Sequence, residues 1–432
     1  MRRPVYGTVK SSQKYQIRMS KVIILCVVIQ LAPVSALFGF GSLWDWLKLP
    51  DPEPVIVPDE MHMNASELAT SKGFPYETHS VTTEDGYILQ LHRIPHGRYN
   101  KNFIGSRPVA LLQHGLLNSA NIWMLNSPDQ SLPFLLADAG VDVWLGNNRG
   151  NTYSKKHITL DPGQNAFWDF CWDEMAKYDL PAEINYILSQ TGNDQLYYVG
   201  YSQGTAIGFA KFSEDQELAK KVKHFLALAP VAHVGFMTSA LRLLVPFSGE
   251  IQTFLNIFGG GAVDADPRKV RKLSNLMYSG MDDDQKMQGL SSIVGDMNGR
   301  SINKSKIDVY NAQCVSSTSA KTLMQWAQGI KSNQFQHFDY GANENHWKYG
   351  QRKPPLYYPS NIKVPVAIFT GGKDTLSDPT DVSWLLSQIN VTHHVNVPWH
   401  NHLGLVIGYD AKYFVYPTLI SIITGRTWKP DK

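Results

Sequence analysis

The run Leu196-Tyr197-Tyr198-Val199-Gly200-Tyr201-Ser202-Gln203-Gly204, continued by a helix-spaced segment at 205–212, decides the fold. Residues 196–199 read as a buried strand and meet a G-x-S-x-G pentapeptide. In a strand-to-helix turn this tight, side chains two places either side of Ser202 would clash, so glycine is needed at 200 and 204. The strained turn lifts the Ser202 hydroxyl clear of the backbone, next to a helix N-terminus. Alone, the pentapeptide arises by chance in about one chain in seven of this length. Its weight comes from the strand before it and the helix after it.

Working outward, Val109-Ala110-Leu111-Leu112 and Val141-Asp142-Val143-Trp144-Leu145 are short apolar runs that stop at Gly- and Asn-rich loops, with helical spacing at 132–139 between them. Phe225-Leu226-Ala227-Leu228 repeats the pattern after the elbow helix. Strands separated by helices imply a mostly parallel sheet with helices on both faces, an α/β protein. Upstream, Thr82-Thr83-Glu84-Asp85-Gly86-Tyr87-Ile88-Leu89 reads as a hairpin, Asp85-Gly86 supplying the positive φ of a tight turn. The alternation breaks near Val234 and returns at 364–369 and 394–397, so the helix- and loop-like middle reads as an insertion between two strands. No internal repeat or low-complexity tract is present.

The N-terminus stands apart. Arg2, Arg3, Lys10, Lys14, Arg18 and Lys21 precede an apolar run at 22–29, and Pro33-Val34-Ser35-Ala36 ends on small residues. This is the pattern of a secretory signal peptide cleaved after Ala36, its core too short for the ~20 residues of a bilayer span. The expected organisation is a signal peptide at 1–36, an extended and helical lead-in at 37–80 that includes the Pro-rich stretch at 49–54, a first sheet portion at 81–233, a helical cap or lid at 234–358, and a second sheet portion at 359–432. Sequons at Asn64, Asn303 and Asn390 become glycosylation candidates in a secretory compartment.

Composition excludes other classes. The chain is 43% hydrophobic and 18% charged, which rules out intrinsic disorder, and its formal charge of +3 offers no excess for nucleic acid. Even that excess belongs to the signal peptide: the remaining 396 residues carry 34 basic against 37 acidic side chains. All fourteen histidines survive cleavage, so acidification below about pH 6.5 would turn the mature chain positive and favour anionic lipid surfaces. Three cysteines cannot staple a chain of this size, and whether Cys171 and Cys314 pair is not legible.

A serine hydroxyl needs a base, and the base needs an orienting carboxylate. In this fold the order is serine, acid, histidine. Asp374 follows a predicted strand in Thr370-Gly371-Gly372-Lys373-Asp374, with Asp378 and Asp381 as competitors. His402 follows the next strand, with His400 as competitor. An oxyanion hole needs two preorganised backbone N–H groups. Gln203 supplies one as the residue after the nucleophile, and Leu116 in Gln113-His114-Gly115-Leu116-Leu117 is the candidate for the other.

These residues resemble the acid lipase family. Beyond the segments above, the resemblance rests on Gly146-Asn147-Asn148-Arg149-Gly150-Asn151-Thr152, Ala227-Leu228-Ala229-Pro230-Val231-Ala232, Lys306-Ile307-Asp308-Val309-Tyr310 and, most specifically, Trp172-Asp173-Glu174-Met175-Ala176-Lys177-Tyr178-Asp179-Leu180-Pro181-Ala182. It implies an α/β-hydrolase core with a helical cap, ester hydrolysis of neutral lipids, and nucleophile, acid and base at Ser202, Asp374 and His402. The chain departs from the family pattern at Tyr201, where histidine is usual, at Leu403-Gly404-Leu405, where Leu-Asp-Phe is common, and in lacking the cap disulfide.

The expected activity is hydrolysis of triacylglycerol or cholesteryl ester through an acyl-enzyme, at a lipid–water interface, by a monomer without metal or cofactor. The expected location is the secretory route, either lysosomal or secreted. A secreted carboxylesterase, an acyltransferase and a non-catalytic lipid carrier are the alternatives on the same scaffold. Candidate lipid-contact segments are 241–247 and 254–258, and Met277, Met281, Met287 and Met297 are candidate pocket residues.

Overall fold

A computed structural model describes residues 59–251, 253, 255, 260–263 and 300–430. The expected signal peptide at 1–36, the Pro-rich stretch at 49–54, most of the apolar run at 254–258 and the four candidate pocket methionines lie outside those residues.

Strands β1 (Glu77–Thr82) and β2 (Tyr87–Ile94) make the antiparallel hairpin, with Gly86 at φ 96° in its turn. There follow β3 (Val109–Gln113), β4 (Asp142–Leu145), the short β5 (Lys156–His157), β6 (Leu196–Tyr201) and β7 (Val222–Leu228). Within the insertion, β8 (Ala262–Val263) pairs with β9 (Thr318–Ser319), and β10 (Val366–Gly371) and β11 (Val391–Val397) complete the main sheet. Its order is β1-β2-β4-β3-β6-β7-β10-β11, with β5 on β2. From β4 to β11 every neighbouring pair is parallel.

The central strands are apolar at nearly every position because both of their faces are covered. Alternate residues of β3 enter different cores, Ala110 and Leu112 on one side and Val109 and Leu111 on the other. Helices α1 (Ala65–Thr70), α2 (Leu132–Asp138), α3 (Leu180–Thr191) and α4 (Gln203–Glu214) precede the insertion. Helices α5 (Ile307–Gln313), α6 (Ala320–Ser332) and α7 (Ala342–Tyr349) belong to it, and α8 (Pro379–Gln388) and α9 (Tyr416–Thr424) follow. Leu132 and Phe134 of α2 and Leu419 and Ile420 of α9 fill the first core, and Ile184 of α3 and Phe209 of α4 the second. The last strand starts three residues earlier than its apolar pattern suggests. It is an edge strand with Thr392, His393 and His394 exposed, so burial leaves no periodic mark on its first half.

The described part of the insertion shares these cores. Ile307 and Tyr310 of α5 lie in the first, and Trp326 and Ile330 of α6 in the second. A polar knot reinforces the join. Asp173 accepts hydrogen bonds from Gln325 Nε2 (2.6 Å), Tyr357 Oη (2.8 Å) and the Phe338 amide (2.8 Å), and lies 3.6 Å from His337 Nδ1. The other His337 ring nitrogen meets Glu214 of α4 at 2.9 Å. Burial acts to lower the His337 pKa, but the Asp173 and Glu214 carboxylates outweigh it and raise it to about 9. The stability this gives is fully present below the unfolded histidine value of ~6.5 and is lost as pH rises through about 9. Between those pH values the melting temperature is expected to fall by about 2–4 °C, and His337→Gln is expected to flatten that slope. Superimposable pH–melting curves for the two proteins would show that the knot does not titrate.

Candidate active site

Strand β6 ends at Tyr201, and α4 begins at Gln203. Between them Ser202 takes φ 53° and ψ −119°, a conformation that costs a non-glycine residue on the order of 1–3 kcal/mol. Close packing enforces the glycines of the elbow. A Cβ on Gly204 would lie 2.5 Å from the Gln113 carbonyl oxygen, and one on Gly200 would lie 2.8 Å from the Gly204 carbonyl oxygen.

The sheet then brings two distant loops to this point. Asp374 follows β10, and His402 follows β11. His402 Nε2 lies 2.8 Å from Ser202 Oγ, and His402 Nδ1 lies 2.8 and 3.0 Å from the two oxygens of Asp374. All three residues are buried. Asp374 Oδ1 also accepts from the amides of Leu376 (2.9 Å) and Ser377 (2.8 Å), so its orientation is set by four contacts. The competitors are engaged elsewhere. His400 bonds Asp410 at 2.8 Å, Asp378 caps α8 through the Thr380 amide, and Asp381 meets His233 at 3.0 Å.

Loop 114–118 passes against the serine: a Cβ on Gly115 would lie 2.9 Å from Ser202 Cβ. Leu117 in the same loop has φ 56°, and its carbonyl accepts from the Ser316 amide at 2.7 Å. Asn118 Nδ2 donates to the Cys314 carbonyl at 2.6 Å, so the insertion holds this loop from outside. Among the described residues, the amides of Leu116 and Gln203 make no hydrogen bond to a backbone carbonyl. The Gln203 side chain accepts from Trp326 Nε1 of α6 at 2.8 Å, which ties the residue after the serine to the insertion.

Several further residues support this arrangement. Tyr201 donates its hydroxyl to the His402 carbonyl (3.3 Å), and its ring lies 5.2 Å from the imidazole. Asp410 collects His400, Trp399 Nε1 and Ser301 Oγ, anchoring the loop that carries His402. Arg149, buried, spans Asp85 (2.6 Å) and Asp179 (2.7 Å) and locks the hairpin turn to α3. Asp85, Arg149, Asp179 and Tyr201 lie in segments that the sequence singles out, whereas the contacts gathered by Asp410 leave no sign there. Cys171 and Cys314 are both buried free thiols. Asn64 and Asn390 are exposed and Asn303 is half-buried; Asn64 caps α1 through Oδ1. No cluster of three or more His, Cys, Asp or Glu among the described residues is placed to hold a metal ion.

The strand order, the serine elbow and the acid and histidine loops after later parallel strands define the α/β-hydrolase class. A family model for the α/β-hydrolase fold matches residues 108–406, and one for a partial α/β-hydrolase lipase region matches 65–127. The chain is 44% identical over 371 residues to human lysosomal acid lipase/cholesteryl ester hydrolase, covering 85% of this chain and 92% of that one. It is 42% identical over 379 residues to human gastric triacylglycerol lipase, covering 84% and 92%. A solved structure from Sulfolobus solfataricus shares the fold at TM-score 0.54 and 14% identity, covering 81% of this chain and 94% of that one. The chain belongs to the acid lipase family of α/β-hydrolases, and is an ester hydrolase by that membership.

Proposed function

We propose that the protein hydrolyses carboxylic esters of neutral lipids, triacylglycerol or cholesteryl ester, by a two-step acyl transfer at Ser202. The observation that carries this reading is the unbroken hydrogen-bond path from Ser202 Oγ through His402 to Asp374. Ser202 Oγ attacks the ester carbonyl while His402 Nε2 takes its proton, and Asp374 holds Nδ1–H and stabilises the imidazolium. The amides of Leu116 and Gln203 receive the negative charge of the tetrahedral intermediate, with Gln203 at the positive end of α4. The imidazolium then protonates the leaving alcohol. Water repeats the sequence on the acyl-enzyme and releases the fatty acid. The step needs no metal or cofactor.

Contact with a lipid surface is supported by the segment at 240–247. Leu244 is turned inward against Leu323 and Met324, while Leu243 and Phe247 are exposed, as is nearby Phe236. Exposed residues of this size are more useful against lipid than against water. Among the described residues no helix is long and apolar enough to cross a membrane. The signal-peptide pattern and the sequons support a secretory route, with Asn64, Asn303 and Asn390 as glycosylation sites.

The test compares emulsified long-chain triacylglycerol and cholesteryl ester with short water-soluble esters, after labelling with a serine-reactive phosphonate. Faster turnover of the emulsions, and a label on Ser202 that removes it, are expected. Turnover of soluble esters alone would make the protein a carboxylesterase instead.

A further inference from the structure

A buried carboxyl group lies behind the loop that carries Leu116. Glu183, on α3, has no exposed surface, and neither of its oxygens has a hydrogen-bond partner. The Asn147 amide is near it but makes no hydrogen bond of acceptable geometry. Other groups around it do not supply a positive charge directly. Asp179 precedes it by one turn of chain and is itself paired with Arg149, and Tyr198 of β6 is a neutral phenol.

A second orphan faces the first. Gln113 Oε1, at the end of β3, is also buried without a donor. A Cβ placed on Gly146 would lie 2.0 Å from Gln113 Oε1 and 2.9 Å from Glu183 Oε1, so both oxygens are turned to one spot. Two desolvated acceptors repel unless a proton lies between them. From Gln113 the hydrogen bonds run to the loop. Gln113 Nε2 donates to Asn148 Oδ1 (2.6 Å), and the backbone N–H of Asn148 donates to His114 Nε2 (3.2 Å). Asn151 Nδ2 adds a second donor to that nitrogen at 3.0 Å. His114 Nδ1–H then donates to the Gly115 carbonyl (2.8 Å), on the peptide whose N–H belongs to Leu116.

We propose that Glu183 is a positioning residue for the oxyanion hole: it keeps its proton, donates it to Gln113 Oε1, and through Asn148 and His114 holds the Gly115–Leu116 peptide against Ser202. This rests on the reading of Leu116 as an oxyanion donor. Burial, and then the Asp179 charge, push the Glu183 carboxyl well above the usual carboxylate range. Burial likewise lowers His114 to about 4, partly countered by its bond to Gly115, so His114 stays neutral and Nε2 can accept. The competing arrangement turns both amides over, so that Gln113 Nε2 donates to an ionised Glu183. It would pair Asn148 Nδ2, which is also buried without a partner, but it sets only the Gln113 amide and the nearby Asn147 N–H against a whole buried charge, with a second carboxylate nearby.

The test uses the full chain with Glu183→Gln and Glu183→Leu. The infrared difference spectrum, wild type minus E183Q at neutral pH, is expected to contain the carbonyl band of a protonated carboxyl. E183L is expected to lose about 10- to 100-fold in kcat on a soluble ester, with KM within about twofold. E183Q, whose amide can donate to Gln113 Oε1, is expected to recover most of that loss at every pH from 5 to 8. An ionised carboxylate band, or E183Q no better than E183L, overturns the proposal. Should E183L not fold, the infrared band and the E183Q activity decide it. If Ser202→Ala retains activity, the oxyanion reading falls and this proposal with it; if Ser202 is essential and the band is absent, this proposal alone falls.

Discussion

Ser202→Ala is expected to lower kcat for ester hydrolysis by on the order of 10⁴- to 10⁶-fold and to leave folding intact. The size of the loss follows from the geometry. His402 Nε2 lies 2.8 Å from Ser202 Oγ and, among the described residues, has no other nucleophile in reach. Alanine removes the attacking atom and the acceptor of the acyl group together. What survives is the modest gain from binding and from the amides of Leu116 and Gln203, which act on attack by water. The variant is expected to gain backbone strain relief no larger than about 1 kcal/mol, because alanine keeps the positive φ that the elbow imposes. Activity on any ester within tenfold of wild type would remove Ser202 from the mechanism.

Asp374→Asn is expected to cost about 10⁴-fold in kcat through the wrong imidazole tautomer. Asp374 Oδ1 accepts from the amides of Leu376 and Ser377, and an asparagine carbonyl can keep both bonds. That choice places the asparagine NH₂ where Oδ2 now meets His402 Nδ1 at 2.8 Å. The amide donates to Nδ1, the proton moves to Nε2, and the imidazole can no longer accept from Ser202. Structure and melting temperature should barely change, which separates this effect from misfolding. Asp378→Asn and Asp381→Asn, measured in parallel, are expected to keep kcat within a few-fold, since those carboxylates cap α8 and hold His233. A tenfold or smaller loss for Asp374→Asn would assign the orienting acid elsewhere.

The candidate site residues are legible in the sequence for a physical reason. A strained elbow admits few side chains, so Gly200, Ser202 and Gly204 leave a sequence signature. Asp374 and His402, the candidate acid and base, sit directly after strands, and the strand before Asp374, buried on both faces, stands out as an apolar run. The choice of His402 over His400, two residues away, was open by spacing alone. Direction separates them: the His402 side chain meets Ser202 and the His400 side chain meets Asp410. Edge strand β11 was half hidden because exposure removes the pattern that burial writes.

The sequence by itself determined the sheet, the elbow and the order of the reacting groups, because local sterics and two-sided burial act on neighbours in the chain. Only the tertiary structure decided what holds those groups in place. The Trp326–Gln203 bond, the ties from Cys314 and Ser316 to loop 114–118, the Asp173–His337 knot and the Glu183–Gln113 pair each join residues with no periodic relation. A hydrogen bond depends on distance and direction between two atoms, and across a hundred residues neither quantity exists until the chain has folded.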